Sequence, residues 1–173
     1  MHERNKPHHV EIARKALEMK LRQGLAPQLP ETLPAELLKP GAAFVSLKKQ
    51  GALRGCIGTV QPTRNNLAEE IAYNALSAGF NDPRFPPLAP EELDEITISV
   101  DVLTEPEKID DLSQLDPVRY GVIVRKGLRS GLLLPNLEGI DTVEKQLAIA
   151  KQKAGIDEQE PVELYRFEVQ RYV

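Results

Sequence analysis

Cysteine is almost absent from this chain of 173 residues, which contains Cys56, no tryptophan, four phenylalanines and four tyrosines. One cysteine excludes an internal disulfide and favours a reducing, cytoplasmic setting. With so few aromatic side chains, no platform for stacking single-stranded nucleic acid is evident. Acidic residues outnumber basic ones, giving a net charge of −4, so no overall positive field attracts phosphates. We therefore expect no nucleic-acid partner.

Long apolar runs are also missing. No stretch approaches the ~20 consecutive apolar residues of a membrane-spanning helix, so we expect no membrane partner. The composition, 41% hydrophobic and 28% charged, is typical of a globular protein. A chain of this length forms one good-sized domain, or one domain with a smaller lobe attached.

The pattern of metal-binding side chains is poor. The histidines, His2, His8 and His9, all lie in the first nine residues. Together with one cysteine they do not match the Cys-x-x-Cys or His-Glu-x-x-His spacings that place several ligands on one ion. The glycines of residues 51–58 lack the Lys-Ser/Thr pair of a phosphate-binding loop. We expect no metal and no bound cofactor.

Hydrophobic periodicity predicts both helices and strands. We predict helices at 8–22, 67–78 and 141–154, and strands at 42–48, 52–60, 96–102, 121–126, 131–134 and 163–173. Asn66 is the predicted N-cap of the second helix, and Asp141 that of the last, with Glu144 at its third position. Because these elements follow no regular βαβ rhythm, we expect an α+β fold with a mostly antiparallel β-sheet flanked by helices.

The segment 52-ALRGCIGTV-60 contains the single thiol. Side chains two apart in a strand share a face, which predicts that Arg54 and Cys56 point the same way, opposite Leu53 and Ile57. Glycines weaken a strand, so those at 55 and 58 indicate a bulge or a close backbone approach.

Two interpretations of Cys56 stay open. In the first, Cys56 is a nucleophile: a neighbouring cation, Arg54, favours its reactive thiolate form, and the backbone N–H groups around Gly55 and Gly58 bind an oxyanion. A histidine base is missing from the core, and His8 or His9 would have to fold over the site. In the second, Cys56 is a small apolar residue in a tight strand, since unpaired cysteine is among the most buried residue types.

The segment 81-NDPRFPPL-88 is a proline-rich loop that combines Asp82, Arg84 and Phe85. In one interpretation Asp82 and Arg84 pair with backbone groups to brace the loop. In the other they face Cys56 across a cleft, where Arg84 recognises a carboxylate or phosphate bidentately. Another basic cluster, Arg125 to Arg129, is typical of a solvated hairpin turn.

Four blocks of the chain, taken in order, resemble the AMMECR domain family: FVSLKKQGALRGCIGTV, NDPRFPPL, ITISVDVL and YGVIVRKGLRSGLLLPNLEGIDTVEKQLAIAKQKAGI. LRGCIG is the most specific of these motifs, and the resemblance covers nearly the whole chain. The stretch 136-NLEGIDTVEKQL-147 is similar to the bacterial and archaeal branch called AmmeMemoRadiSam system protein A.

The resemblance implies a fold and a site, but no settled activity. It implies one AMMECR-type domain over residues 1–173, in which a larger lobe contains both termini and a smaller lobe is inserted. It also implies two partners, a Memo-like protein and a radical SAM protein.

Two hypotheses about function follow. In the first, a cleft at LRGCIG is the site of a cysteine-dependent enzyme that acts with those partners. Its catalytic residues are then Cys56, Arg54 and Asp82, and its substrate-binding residues are Gly55, Gly58, Arg84 and Phe85. In the second, the protein is a non-catalytic interaction module for the same partners, and Cys56 is selected for its size.

Overall fold

The computed structural model describes residues 8–173, which divide into two compact units. The first contains the described residues before Leu103 together with Arg171–Val173, and the second is Leu103–Gln170. The elements are α1 (His8–Gln23), α2 (Ala35–Leu38), β1 (Ala42–Lys49), β2 (Ala52–Gly58), α3 (Leu67–Phe80), β3 (Ile96–Leu103), β4 (Glu107–Ile109), β5 (Gly121–Lys126), β6 (Arg129–Leu133), α4 (Val143–Ala154), β7 (Glu163–Phe167) and β8 (Val169–Tyr172). Short 3-10 turns lie at Pro90–Glu92 and Leu112–Gln114.

The first sheet has the strand order β2-β1-β3-β8. One of its faces packs on α1 and α3, and alternate residues of β1 (Ala43, Val45 and Leu47) are fully buried there. Val100 of β3 joins the same core. We call the opposite side of this sheet, which bears Ser46, the outer face.

The second sheet has the strand order β4-β7-β5-β6, and its paired strands are antiparallel. Its core forms between the sheet and α4, where Val122, Val124 and Ala150 are fully buried. Both units therefore bury one sheet face under helices, which confirms the α+β class and the mostly antiparallel pairing.

Each unit brings a helix backbone directly onto a glycine of its sheet. A Cβ atom on Gly55 would overlap the carbonyl oxygen of Ala78 in α3, and one on Gly131 would overlap the carbonyl oxygen of Ala150 in α4. The close backbone approach predicted for Gly55 is therefore confirmed, and it serves helix–sheet packing.

Two predicted boundaries are wrong. The last strand is interrupted at Glu168, whose N–H donates to the Thr104 hydroxyl while its carbonyl accepts from the Thr104 N–H, so β7 and β8 belong to different sheets. The N-cap of α4 is Thr142, which has extended backbone and accepts from the Lys145 N–H. Asp141 instead pairs with the Lys145 ammonium group at 2.9 Å. The Asn66 cap is confirmed, since its side chain accepts from Glu69.

Across residues 8–173, no helix combines the length and the apolar character that crossing a bilayer requires.

Candidate functional site

The hairpin of β1 and β2 contains a bulge at the motif. Leu47 pairs with Gly55, but its neighbour Lys48 pairs with Leu53, so Arg54 is an extra residue without a partner on β1. A bulge of this kind places two consecutive residues against one and breaks the two-residue alternation. The predicted bulge is therefore confirmed. Near the bulge, the contacts of each side chain, rather than simple alternation, show which face of the sheet it occupies.

Those contacts separate Arg54 from Cys56. The Cys56 sulfur lies 3.1 Å from the Ser46 hydroxyl, on the outer face. Arg54 instead shares the Glu92 carboxylate with Lys49, which follows the buried Leu47 by two residues and so lies on the helix-packed side. The prediction that Arg54 and Cys56 share a face is wrong, because the bulge shifts the alternation by one residue.

Arg54 belongs to a bracket that fixes the hairpin to the 3-10 turn at Pro90–Glu92. Its Nε and Nη2 atoms each donate to one oxygen of Glu92 at 2.9 Å, and the Ala89 N–H also donates to that carboxylate. These hydrogen bonds, first of all those from Arg54, lower the pKa of Glu92 to about 2. Since Arg54 is only 8% exposed and its charge is matched by Glu92, its position indicates a structural role.

Asp82 fixes the proline-rich loop onto β2 beside the thiol. One of its oxygens accepts the Cys56 N–H at 3.0 Å, and both accept from the Arg84 guanidinium, at 3.0 and 2.8 Å. Asp82 is buried, and its hydrogen bonds from Arg84 hold its pKa well below the ordinary range. The same hydrogen bonds therefore brace the loop and place Asp82 and Arg84 next to Cys56. The Cys56 N–H is engaged by Asp82 and does not face an oxyanion.

A second aspartate–arginine pair, absent from the predicted site, lies in the same unit. Asp101 of β3 follows the buried Val100, so it lies on the outer face. The Nε and Nη2 atoms of Arg171 in β8 donate to its two oxygens at 2.7 and 2.9 Å. Hydrogen bonding to Asp101 raises the pKa of Arg171, and the negative charge of a Cys56 thiolate adds to the effect. Asp101, the single charged residue of ITISVDVL, was the signal that sequence reasoning missed.

The other predicted site residues have local packing partners. Gly58 pairs with Phe44, and a Cβ atom on Gly58 would overlap the Phe44 ring, so the glycine makes room for that ring. Phe85 lies under the Arg84 guanidinium, whose central carbon is 5.5 Å from the ring centroid. The loop and β2 therefore bring Asp82 and Arg84 to Cys56, with Phe85 under Arg84, while Gly55 and Gly58 adjust the packing of the strand.

The two described histidines, His8 and His9, do not supply an evident base. His9 is buried and stacks on Tyr172, with ring centroids 3.7 Å apart, and burial lowers the pKa of His9. His8 is exposed in the first turn of α1, and His2 lies outside the described residues. Within residues 8–173, no three His, Cys, Asp or Glu side chains are placed to hold a metal ion.

A groove of about 480 Å³ in the same unit does not include the thiol. It lies between α1 and the start of β3 and is lined by Val10, Arg14, Ile96 and Val173, among others. The cleft expected at LRGCIG stays a prediction.

The basic hairpin turn of the second unit is paired internally. Lys126 and Arg129 each lie 3.4 Å from the Glu160 carboxylate, and Arg125 lies over the Tyr165 ring. These contacts agree with a solvated turn.

Comparison with known proteins identifies the family. The model of the AMMECR1 family matches residues 10–172. The chain belongs to the AMMECR1 family.

Relatives in this family are similar in sequence along nearly the whole chain. A Thermotoga maritima protein is 55% identical over 167 residues, covering 95% of this chain and 96% of the relative. A Clostridium acetobutylicum protein is 51% identical over 167 residues, but these make up only 35% of its length. The crystal structure of an uncharacterized protein from Pyrococcus horikoshii matches with a TM-score of 0.84 and 36% identity, covering 96% of this chain and 89% of that one. The similarity to these relatives establishes the family and the fold.

Proposed function

We propose that this AMMECR1-family protein is a cysteine-dependent enzyme whose reaction centre is Cys56 on the outer face of the first sheet. The observation that carries the proposal is the setting of the thiol. Cys56 is partly exposed, its sulfur contacts the Ser46 hydroxyl, and the exposed guanidinium group of Arg84 lies 3.4 Å from its carbonyl oxygen. Cationic, partly exposed surroundings are typical of reactive rather than structural cysteines.

In this proposal each residue of the site has a separate chemical role. The Cys56 sulfur bonds to an electrophilic carbon of the substrate, the bond from that carbon to its leaving group breaks, and the thiol proton passes to the leaving group through Ser46. Arg84 and Arg171 stabilise the negative charge that develops on the sulfur. The sequence pattern assigned this role to Arg54. Asp82 is a positioning residue, because its carboxylate binds both the Cys56 N–H and Arg84.

The interaction module is the second candidate, and a different observation favours it. β2 is an edge strand, and Leu53 in it is 41% exposed, with Val60 beyond the strand also exposed. An exposed apolar edge strand is suited to pairing with another chain. The geometry of Gly55, Gly58 and Arg54 is also explained by packing alone.

Complementation by Cys56 variants separates these two functions. We expect Cys56→Ser and Cys56→Ala to abolish rescue of a gene-deletion phenotype while changing the free energy of unfolding by no more than about 1 kcal/mol. Urea denaturation of each variant supplies the folding control. Full rescue by both folded variants would contradict the enzyme and favour the module.

We further propose that the protein belongs to the AmmeMemoRadiSam branch, that it is cytoplasmic and that it acts with a Memo-like and a radical SAM protein. The similarity of residues 136–147 to that branch supports this. We expect the tagged protein to co-purify with both co-expressed partners, and Cys56→Ser to leave the association intact. If the edge strand forms the contact, Leu53→Asp weakens the association at least about tenfold, since it places a charge against an apolar surface. Absence of co-purification of the unaltered protein would refute the partnership.

A further inference from the structure

The two aspartate–arginine pairs of the first unit are built in the same way. In each, the Nε and Nη2 atoms of the arginine donate to the two oxygens of one aspartate. The aspartates, Asp82 and Asp101, are 4% and 3% exposed, whereas the side chains of Arg84 and Arg171 are 56% and 63% exposed. Each buried carboxylate therefore fixes one edge of a guanidinium group whose remainder faces outward.

The outward edges have hydrogen-bonding capacity to spare. A guanidinium group carries five N–H donors, and the aspartate uses two of them. Neither the Arg84 nor the Arg171 Nη1 atom has a hydrogen-bond partner within residues 8–173. A planar fork held in place by a buried partner binds an oxyanion with little further loss of side-chain entropy.

The pairs come from distant parts of the sequence and lie in the unit that carries the thiol. Arg84 also approaches the Cys56 carbonyl, at 3.4 Å from Nη2, and Arg171 of the edge strand β8 binds Asp101 on the outer face of the neighbouring strand β3. Strand β1 lies between β3 and β2, and its Ser46 hydroxyl contacts the Cys56 sulfur on the same face. Single surface arginines are common, but these two are each oriented by a buried aspartate, one beside Cys56 and one on the face that bears its sulfur, an arrangement suited to binding one ligand.

We propose that Arg84 and Arg171 form a clamp for an oxyanion of the substrate, a carboxylate or a phosphate, and hold its reactive carbon over Cys56. This inference rests on the proposed function for the role of the thiol, but the clamp itself does not require Cys56 to react. The two oxygens of the oxyanion accept from the outward edges of the two guanidinium groups.

Alkylation of the single thiol measures the clamp directly. Iodoacetate is anionic and iodoacetamide is neutral, and both react with the sulfur by displacement of iodide. We expect the ratio of their rate constants, iodoacetate over iodoacetamide, to be at least about fivefold higher in the native than in the urea-unfolded protein. Arg84→Gln and Arg171→Gln should each lower the native ratio severalfold.

Arg119→Gln is the matched control. Arg119 is 64% exposed and pairs with Glu168 at 2.9 Å, so its replacement removes the same charge and the same kind of ion pair elsewhere on the surface. This variant should leave the ratio unchanged. An equal ratio in the native and unfolded protein, or one that Arg119→Gln lowers as much as the clamp variants, would overturn the proposal.

Probe anions distinguish the substrate class and separate the clamp from the enzyme. At constant ionic strength, inorganic phosphate and acetate should slow the reaction with iodoacetate, and the stronger competitor identifies the preferred oxyanion. Phosphorus-31 NMR titration should show that Cys56→Ser binds phosphate with the same affinity as the unaltered protein, whether or not Cys56 is catalytic. If neither reagent alkylates the folded protein, the nucleophile is refuted. The clamp is then decided by the loss of phosphate binding expected in Arg84→Gln, and the absence of phosphate and acetate binding overturns it.

Discussion

Gly55→Ala is expected to destabilise the protein by about 3 kcal/mol or more, although it adds a single methyl group. The added Cβ atom would overlap the Ala78 carbonyl oxygen, which is part of the α3 backbone. A helix backbone cannot rotate away as a side chain does, so the whole of α3 would have to separate from the sheet. Urea denaturation monitored by circular dichroism measures the loss.

Gly58→Ala is the matched comparison in the same strand. There the added Cβ atom would meet the Phe44 ring, a side chain that is free to move, and we expect a loss of about 1 kcal/mol. Replacing Phe44 by Ala, which removes the ring together with its Cγ atom, should reduce the cost of Gly58→Ala, whereas it should leave the cost of Gly55→Ala unchanged. Similar costs at both glycines would show that the close approach of α3 does not control stability.

Glu92→Gln is expected to cost about 3 kcal/mol, the second-largest effect. The substitution keeps the shape of the side chain but leaves the buried Arg54 guanidinium without a counter-charge. Glu95→Gln is the control, because Glu95 is exposed and, within residues 8–173, pairs only with Lys49, so its loss should cost no more than about 0.5 kcal/mol. Urea denaturation at pH 7 compares the two variants, and equal costs would contradict a buried bracket.

The same pair predicts a pH dependence. The pKa of Glu92 is lowered in the folded protein from 4.5 to about 2. A group whose pKa is lowered on folding contributes stability above its unfolded pKa and loses it as the pH falls through the folded value. The stability difference between the unaltered protein and Glu92→Gln should therefore be constant above pH 5 and shrink between about pH 4.5 and pH 2. A difference that does not change over this range would contradict the assignment.

Local sequence was sufficient to predict the features that depend only on neighbouring residues. The Asn66 cap, the strands of the hairpins and the buried alternation of Ala43, Val45 and Leu47 follow from periodicity and capping chemistry. The position of Asp82 and Arg84 beside Cys56 was one of two interpretations, because a proline-rich loop of mixed charge does not reveal which strand it covers.

The position of the bulge could not be predicted from local sequence. Glycine in LRGCIG indicated an irregular strand, but an extra residue in one strand is defined only by its pairing with the other. Alternation therefore placed Arg54 beside Cys56, although Glu92, 38 residues away, holds it on the other face. A one-residue shift reverses every side chain beyond it.

By itself the sequence determined the α+β class, the family to which the chain belongs and the strand that carries the thiol. Only the tertiary structure decided which charges surround that thiol. Arg171 lies 115 residues from Cys56 along the chain, and Asp101 on β3 holds it on the face that bears the Cys56 sulfur. No local pattern encodes such a meeting, because it depends on the order of strands in the sheet, and long-range packing decides that order.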